Sequence, residues 1–426
     1  MREMKDSGIE FIGIIPDNWE IRRMKTLGNV RNGITYSPQD VTDEESGILV
    51  LRSSNIKNGK LCFTDNVYVS CSIPSELKVK NGDILICSRN GSRELIGKNA
   101  IINNVNATFG AFMMIFRCGT PNYLYYVLNS PVFSYYLGSF FTSTINQLTG
   151  YNFGNMKVAY CNDKEEQDRI SYFLDLKCTE IDSLISDIQS QIETLEEYKR
   201  SVITEAVTKG LDPDVEMKDS GVQWMGKIPK HWTVDNPKWH FVQRKDRATK
   251  GLTQLTASQK YGVVTQEEYM EITGAKVVTV EKDFDILKLV CPGDFIIHMR
   301  SFQGGLEYSE KYGSISSAYV MLIPQKTILE PRFYKWFFKS PVYIDALSST
   351  SNLIRDGQAM RYANFIQLPI PLMPKEEQQQ IADYLDSKCA EIDSIIAEKK
   401  QQIETIEEYK KSMIFEYVTG KKEVVK

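Results

Sequence analysis

Residues 164–210 read KEEQDRISYFLDLKCTEIDSLISDIQSQIETLEEYKRSVITEAVTKG, and residues 375–421 repeat them almost letter for letter, every position offset by 211. A 426-residue chain that repeats itself at half its length is a duplicated unit, which constrains its architecture more than any local propensity. Each copy has helix composition: no internal Gly or Pro, many Glu, Lys, Gln, Ile and Leu, and a Gly only at its end. A seam of Leu174, Cys178, Ile181, Ile185, Ile188, Ile192 and Leu195 alternates steps of four and three, the repeat of a left-handed coiled coil. The second copy carries Leu385, Cys389, Ile392, Ile396, Ile403 and Ile406, with Lys399 in place of the residue matching Ile188.

A single narrow seam needs a partner helix. The simplest partner is the other copy, giving an intrachain pair about 65–70 Å long at 1.5 Å per residue. The competing arrangement is homodimerisation through the same seam.

The length allows two to four domains. No apolar run is long enough for a membrane span and MREMKDSGIE is no signal peptide, so the expected location is the cytoplasm. Eight scattered cysteines without a CxxC pair, and only three histidines, indicate neither a zinc site nor a disulfide framework. Cys178 and Cys389 read as small core residues. The net charge of −4 hides a division. Residues 164–210 carry 6 basic and 11 acidic side chains and residues 375–421 carry 7 and 11, so the helices hold −9 and everything else +5. Mildly basic globular units beside acidic helices suit local DNA contact, with the helices repelled from phosphate.

Each globular unit opens with the same phrase, MKDSGIEFIGIIPDNWEI from Met4 and MKDSGVQWMGKIPKHWTV from Met217. The Gly, Pro and Trp of each phrase (Gly13, Pro16, Trp19; Gly226, Pro229, Trp232) read as turn residues docking an aromatic anchor. Further on, Asn81-Gly82-Asp83 and Pro292-Gly293-Asp294 precede buried strands, and Arg89 and Arg300 follow at equivalent positions. Aromatic segments, YLYYVLN and FYKWFFK, suggest helices packed on a sheet, and divergent polar loops follow them. A conserved frame with divergent loops describes two readers of different targets, and also drift after duplication. Because the second helix ends in VTGKK where the first continues into TKGLDPDVE, a pseudo two-fold arrangement places the C-terminal tail near Met4 and closes the chain into a near circle.

Motifs for chemistry fail on inspection. GSRELIGKN from Gly91 has five residues between its glycines and Asn99 where a phosphate loop needs Ser or Thr. DNPKW from Asp235 lacks the second Pro of an amino-methyltransferase motif. The Asp214, Glu216 and Lys218 of a nuclease-like run lie consecutively in a linker, whereas a metal site draws its carboxylates from separate strands. Recognition chemistry remains: Arg and Lys for phosphates or guanine, Asn and Gln for adenine. The candidates are Arg89, Asn90, Ser92, Arg93, Lys98, Thr144, Asn146 and Gln147 in the first unit, and Arg300, Gln303, Ser349, Asn352, Arg355 and Gln358 in the second. Arg89 and Arg300 are either shared phosphate clamps or shared internal salt bridges.

With the duplicated opening phrase, the repeated KEEQ…ETxEEYK helices and the two GD…R stretches, the whole chain resembles the specificity subunit of type I restriction-modification systems. The resemblance implies an α+β chain of two globular α/β target recognition domains, 1–163 and 211–374, joined by a central helix at 164–210 and a C-terminal helix at 375–421, with a tail at 422–426. The helices would form an antiparallel intrachain coiled coil, pseudo two-fold symmetric and nearly circular. Each domain would read one half of a bipartite double-stranded DNA site, and the helix pair would set the gap and dock methylation subunits. The chain itself would be non-catalytic and free of cofactors. Two methylation and two restriction subunits would be its partners and carry S-adenosylmethionine, ATP and Mg. The alternative is a coiled-coil adaptor without sequence-specific DNA binding.

Overall fold

The computed structural model describes residues 2–140, 146–277, 279–280, 286–350 and 360–424. Contacts divide the chain into two compact units, Met1–Ile188 with Lys400–Lys426, and Gln189–Lys399. The division falls inside two long helices, Lys164–Lys209 and Lys375–Val418. Both helices begin with two glutamates in the first turn, favourable at the positive end of the helix dipole. Both stop at a left-handed glycine, Gly210 (φ +75°) and Gly420 (φ +71°), a conformation costly for any residue with a Cβ. A Cβ at Gly420 would also lie 2.5 Å from Pro16.

Within the first unit, Phe173 meets Tyr417 with ring centroids 4.5 Å apart and Asp182 pairs with Lys410. Within the second, Gln191 accepts from Lys399 Nζ at 2.6 Å and Lys199 pairs with Asp393 at 2.6 Å. In each unit the partner numbers fall in one helix as they rise in the other, so the two segments run antiparallel. Leu174, Cys178, Ile188, Ile192, Leu385, Cys389, Ile392 and Ile396 are buried. Ile181, Ile185, Leu195, Ile403 and Ile406 are half-buried. Lys399 is half-buried too, with its ammonium on Gln191.

The opening phrases form matching hairpins, Met4–Asp6 with Ile14–Pro16 and Met217–Asp219 with Lys227–Pro229, in the same register. Trp19 and Trp232 behind them are wholly buried. Their indoles donate to Glu166 at 3.5 Å and to Glu377 at 2.9 Å, in the first turn of each long helix. The next residue, Gln167 or Gln378, is also buried and donates to the carbonyl of Cys161 or Met373. The repeated letters EQ therefore fasten each globule to its helix. A second fastening joins Tyr126 to Asp175 at 2.5 Å and Trp336 to Asp386 at 2.8 Å.

Each unit is built on a four-stranded antiparallel sheet with the same order. In the first it runs Asn99–Ile101, Ile84–Cys87, Met113–Cys118, Gly28–Asn32. In the second it runs Glu307–Tyr308, Phe295–Ile297, Val320–Pro324, Phe241–Gln243. The strands after the GD pairs are buried on both faces, and alternation sorts their side chains. Ile84 and Ile86 pack with the helices Pro121–Leu128 and Pro131–Phe140, whereas Leu85 and Cys87 pack with a second sheet containing Ile48–Leu51 and Ala107–Phe109. Likewise Phe295 and Ile297 face the helices Pro331–Phe337 and Pro341–Ser349, and Ile296 faces the hairpin Leu255–Ser258 with Gly262–Thr265. The units share the helical face and differ on the other.

The aspartates of the GD pairs hold this frame together. Asp83 takes both arms of Arg117 at 2.6–2.7 Å, and Asp294 takes Arg244 at 2.7 and 2.9 Å. Both carboxylates are buried, and their hydrogen bonds raise the pKa of Arg117 and Arg244.

Candidate nucleic-acid interface

At the end of strand Ile84–Cys87 the first unit gathers loops from distant parts of the chain. Arg89 bridges to Gln147, Leu148 N–H donates to the Ser88 carbonyl at 2.8 Å, and Ser88 and Arg89 both donate to the Phe112 carbonyl at 2.9 and 3.1 Å. The Arg89 guanidinium lies 5.3 Å from the centroid of Phe112, a ring left 59% exposed. Asn90 donates to Ser53 Oγ at 3.2 Å and accepts from Ser92 N–H at 3.0 Å. These loops enclose an open cleft of about 1110 Å³ whose walls include Arg52, Asp65, Arg89, Asn90, Asn146 and Gln147.

Four of the first-unit candidates, Arg89, Asn90, Asn146 and Gln147, thus come together. Ser92 is exposed on the adjoining turn, Arg93 bonds the Gly138 carbonyl at 3.5 Å, and Lys98 bonds the Ile56 carbonyl at 3.0 Å, all three away from the cleft lining. Thr144 lies outside the described residues.

In the second unit Arg300 and Gln303 are exposed at the start of the short helix Ser301–Gly304. The Gln303 carbonyl accepts from Gln259 at 3.2 Å, and the Ser349 hydroxyl is spent on the Ala346 carbonyl at 2.6 Å. Asn352, Arg355 and Gln358 lie outside the described residues.

Among the described residues neither Arg89 nor Arg300 pairs with a carboxylate, while Arg117 and Arg244 supply the buried ion pairs. Among the described residues the buried ion pairs of the frame are made by these last two arginines. Arg52, Asp65 and Phe112 escaped sequence reasoning. A signal existed: the run Ile48–Leu51 followed by Arg52-Ser53-Ser54 repeats the pattern of strand Ile84–Cys87 followed by Ser88-Arg89-Asn90. The described residues contain no cluster of metal-ligating side chains, and none of their helices is long and apolar enough to cross a membrane.

The duplicated frame carries divergent polar loops after equivalent strands, and the sequence matches one family along most of its length. Residues 16–194 and 241–405 match the type I restriction modification DNA specificity domain, and the chain belongs to that family. It is 26% identical to the protein assigned as the type I restriction enzyme MjaX specificity subunit of Methanocaldococcus jannaschii, over 96% of this chain and 95% of that one. It is 23% identical to the type I restriction enzyme EcoKI specificity subunit of Escherichia coli K12, over 90% and 84%. A chain from a solved type I restriction-modification system superposes with a TM-score of 0.68 at 13% identity, covering 95% of this chain and 98% of that one, which shows a shared fold. The role is DNA-sequence specificity in a type I system, and the adaptor reading finds no support.

Proposed function

We propose that the two units are separate readers, each recognising one half of a bipartite DNA site, and that the paired long helices are the ruler between them. The carrying observation is the cleft at Arg89, where a shared arginine with no carboxylate partner among the described residues sits among side chains the other unit does not repeat. Shared positions suit phosphate, which is the same at every step. Divergent ones suit bases. Arg89, Asn90, Ser92, Arg93, Lys98, Thr144, Asn146 and Gln147 form the proposed contact set of the first unit, and Arg300, Gln303, Ser349, Asn352, Arg355 and Gln358 that of the second.

The helices form an antiparallel coiled coil in this reading. First-helix positions 173, 182, 191 and 199 meet 417, 410, 399 and 393 in falling order, which supports one continuous register. With the 211-residue offset this favours pseudo two-fold symmetry and a nearly circular chain of globule, helix, globule, helix at the boundaries given above. Such symmetry suits the two-fold relation of the duplex backbones. The acidic helices turn from phosphate and receive methylation subunits. Restriction subunits join through these, and S-adenosylmethionine, ATP and Mg belong to the partners, two of each kind, while this chain performs no chemistry.

Genome-wide mapping of methylated bases, with and without the gene for this chain, tests the reading. Loss of one bipartite motif on deletion is the expected result. An unchanged map in a cell that expresses the methylation subunits would refute it.

A further inference from the structure

Arg52 and Asp65 face each other across the wall of the first unit's cleft. Arg52 Nη2 donates to Asp65 Oδ2 at 2.9 Å and to the Asp65 carbonyl at 3.0 Å, while Arg52 Nε is buried and the side chain as a whole is 33% exposed. The backbone is fixed as well: Arg52 N–H donates to Asn55 Oδ1 at 2.9 Å, and the buried Asn55 amide donates to the carbonyl of Cys62 at 3.0 Å. The guanidinium is therefore held in place before any ligand arrives, with the Nη1 donors not engaged by Asp65.

Phosphate and base edge are the two ligands such a group could meet in a DNA cleft. Phosphate affinity comes from net positive charge and counterion release. An arginine already neutralised by a carboxylate offers little of either, and the Asp65 side chain, 66% exposed, would repel phosphate. On a base edge both groups are useful. Arginine donates to O6 and N7 of guanine, and a carboxylate accepts from N4–H of cytosine.

We propose that Arg52 and Asp65 act together to read one C·G base pair in the half-site of the first unit, Arg52 donating to the guanine and Asp65 accepting from its cytosine. The proposal rests on the first unit being a DNA reader. The pair lies in the part of the fold that the units do not share. Between the first two strands of its central sheet, the second unit instead builds the hairpin Leu255–Ser258 with Gly262–Thr265 and the helix Gln266–Thr273. A contact that gives two readers different targets must come from such a region.

The test maps methylation in cells whose chain carries Arg52→Met, Asp65→Leu or both, and measures duplex binding by the same chains assembled with their methylation subunits. The expected result is a motif in which one G·C position loses discrimination by about tenfold or more, while the other positions and the gap stay unchanged. The salt dependence of binding by the double variant should match the unaltered chain, since no net charge is lost. Uniform weakening at every site, with each motif position intact, would assign the pair to backbone contact or to loop structure and overturn the proposal. Asp65→Leu, which removes every side-chain acceptor at an exposed position, decides the matter even if Arg52→Met fails to fold, whereas Asp65→Asn keeps an amide oxygen that still accepts. If the unaltered chain directs no motif at all, the DNA reading fails first and takes this inference with it.

Discussion

The indole N–H of Trp232 donates to Glu377 Oε1 at 2.9 Å, and His231 occupies the other oxygen of the same carboxylate at 2.8 Å. Trp19 and Glu166 repeat the contact at 3.5 Å, with Arg2 at 2.6 Å on the free oxygen. Removing Trp232 takes away a wholly buried ring and strands a half-buried carboxylate. Trp232→Ala should cost about 3–5 kcal/mol, and Trp232→Phe about 1–3 kcal/mol because Glu377 loses its donor. Urea unfolding followed by circular dichroism should show one transition moving and one staying, because the ring belongs to the core of the second unit alone.

The buried ion pairs make a second prediction. Asp294→Ala leaves Arg244 with only the exposed Asp246, 3.0 Å from its Nη1, and should destabilise the second unit by about 2–4 kcal/mol. Asp294→Ala with Arg244→Met should cost clearly less than the two single changes together, because no buried charge is left unpaired and Asp246 is exposed to solvent. A double-mutant cycle on unfolding free energies measures the difference, and strict additivity would remove the coupling argued from the geometry.

Thiol reactivity should separate the cysteines. Burial pushes the Cys178 and Cys389 thiols up to about 11, and burial with the Glu166 contact pushes Cys161 to about 12. Hydrogen bonds from Thr64 pull the half-exposed Cys62 below its usual value. Raising a thiol's pKa removes thiolate at neutral pH and lowering it supplies more. Brief alkylation at pH 8 with mass-spectrometric readout should therefore find Cys62 modified first and the seam cysteines protected until the chain unfolds.

The ruler can be lengthened. Inserting four residues after Gln189 and four after Lys400 adds about one turn, or 6 Å, to each helix while keeping the antiparallel partners in step. At 3.4 Å per base step the gap should grow by about one to two base pairs. Methylation mapping should return the same two half-sites further apart. Altered half-site bases would break the division between reading and spacing.

The long helices could be read from the sequence because helical periodicity is local and the duplication supplied two copies. The exception at Lys399 has a partner in the other helix, its ammonium donating to Gln191 across 208 residues of sequence. The opening tryptophans were also visible as anchors. Their acceptors were not, since 145 and 147 residues separate donor from acceptor. The cleft was half visible. Arg89, Asn90, Asn146 and Gln147 stood out as polar residues in divergent loops; Arg52 had the weaker signal of a strand-then-polar run, and Asp65 reaches the cleft through a loop contact that no local pattern announces. Nor could the repeat reveal the partners of Asp83 and Asp294. Arg117 follows its aspartate and Arg244 precedes its own, so equivalent carboxylates chose non-equivalent arginines.

The left-handed Gly420 packs against Pro16 and Trp19, and Met413, Ile414 and Val418 complete the same core. On the ribosome this sets an order of completion opposite to the order of synthesis. The second unit has all its residues once Lys399 has emerged, whereas the first waits for the last turns of the chain. At roughly 5–20 residues per second, residues 1–188 stand for about 10–50 s without their closing helix. Through that interval the nascent reader exposes the apolar strip that Val418 will cover, a natural target for chaperones and a point at which premature termination leaves both the strip and the partnerless seam open to aggregation.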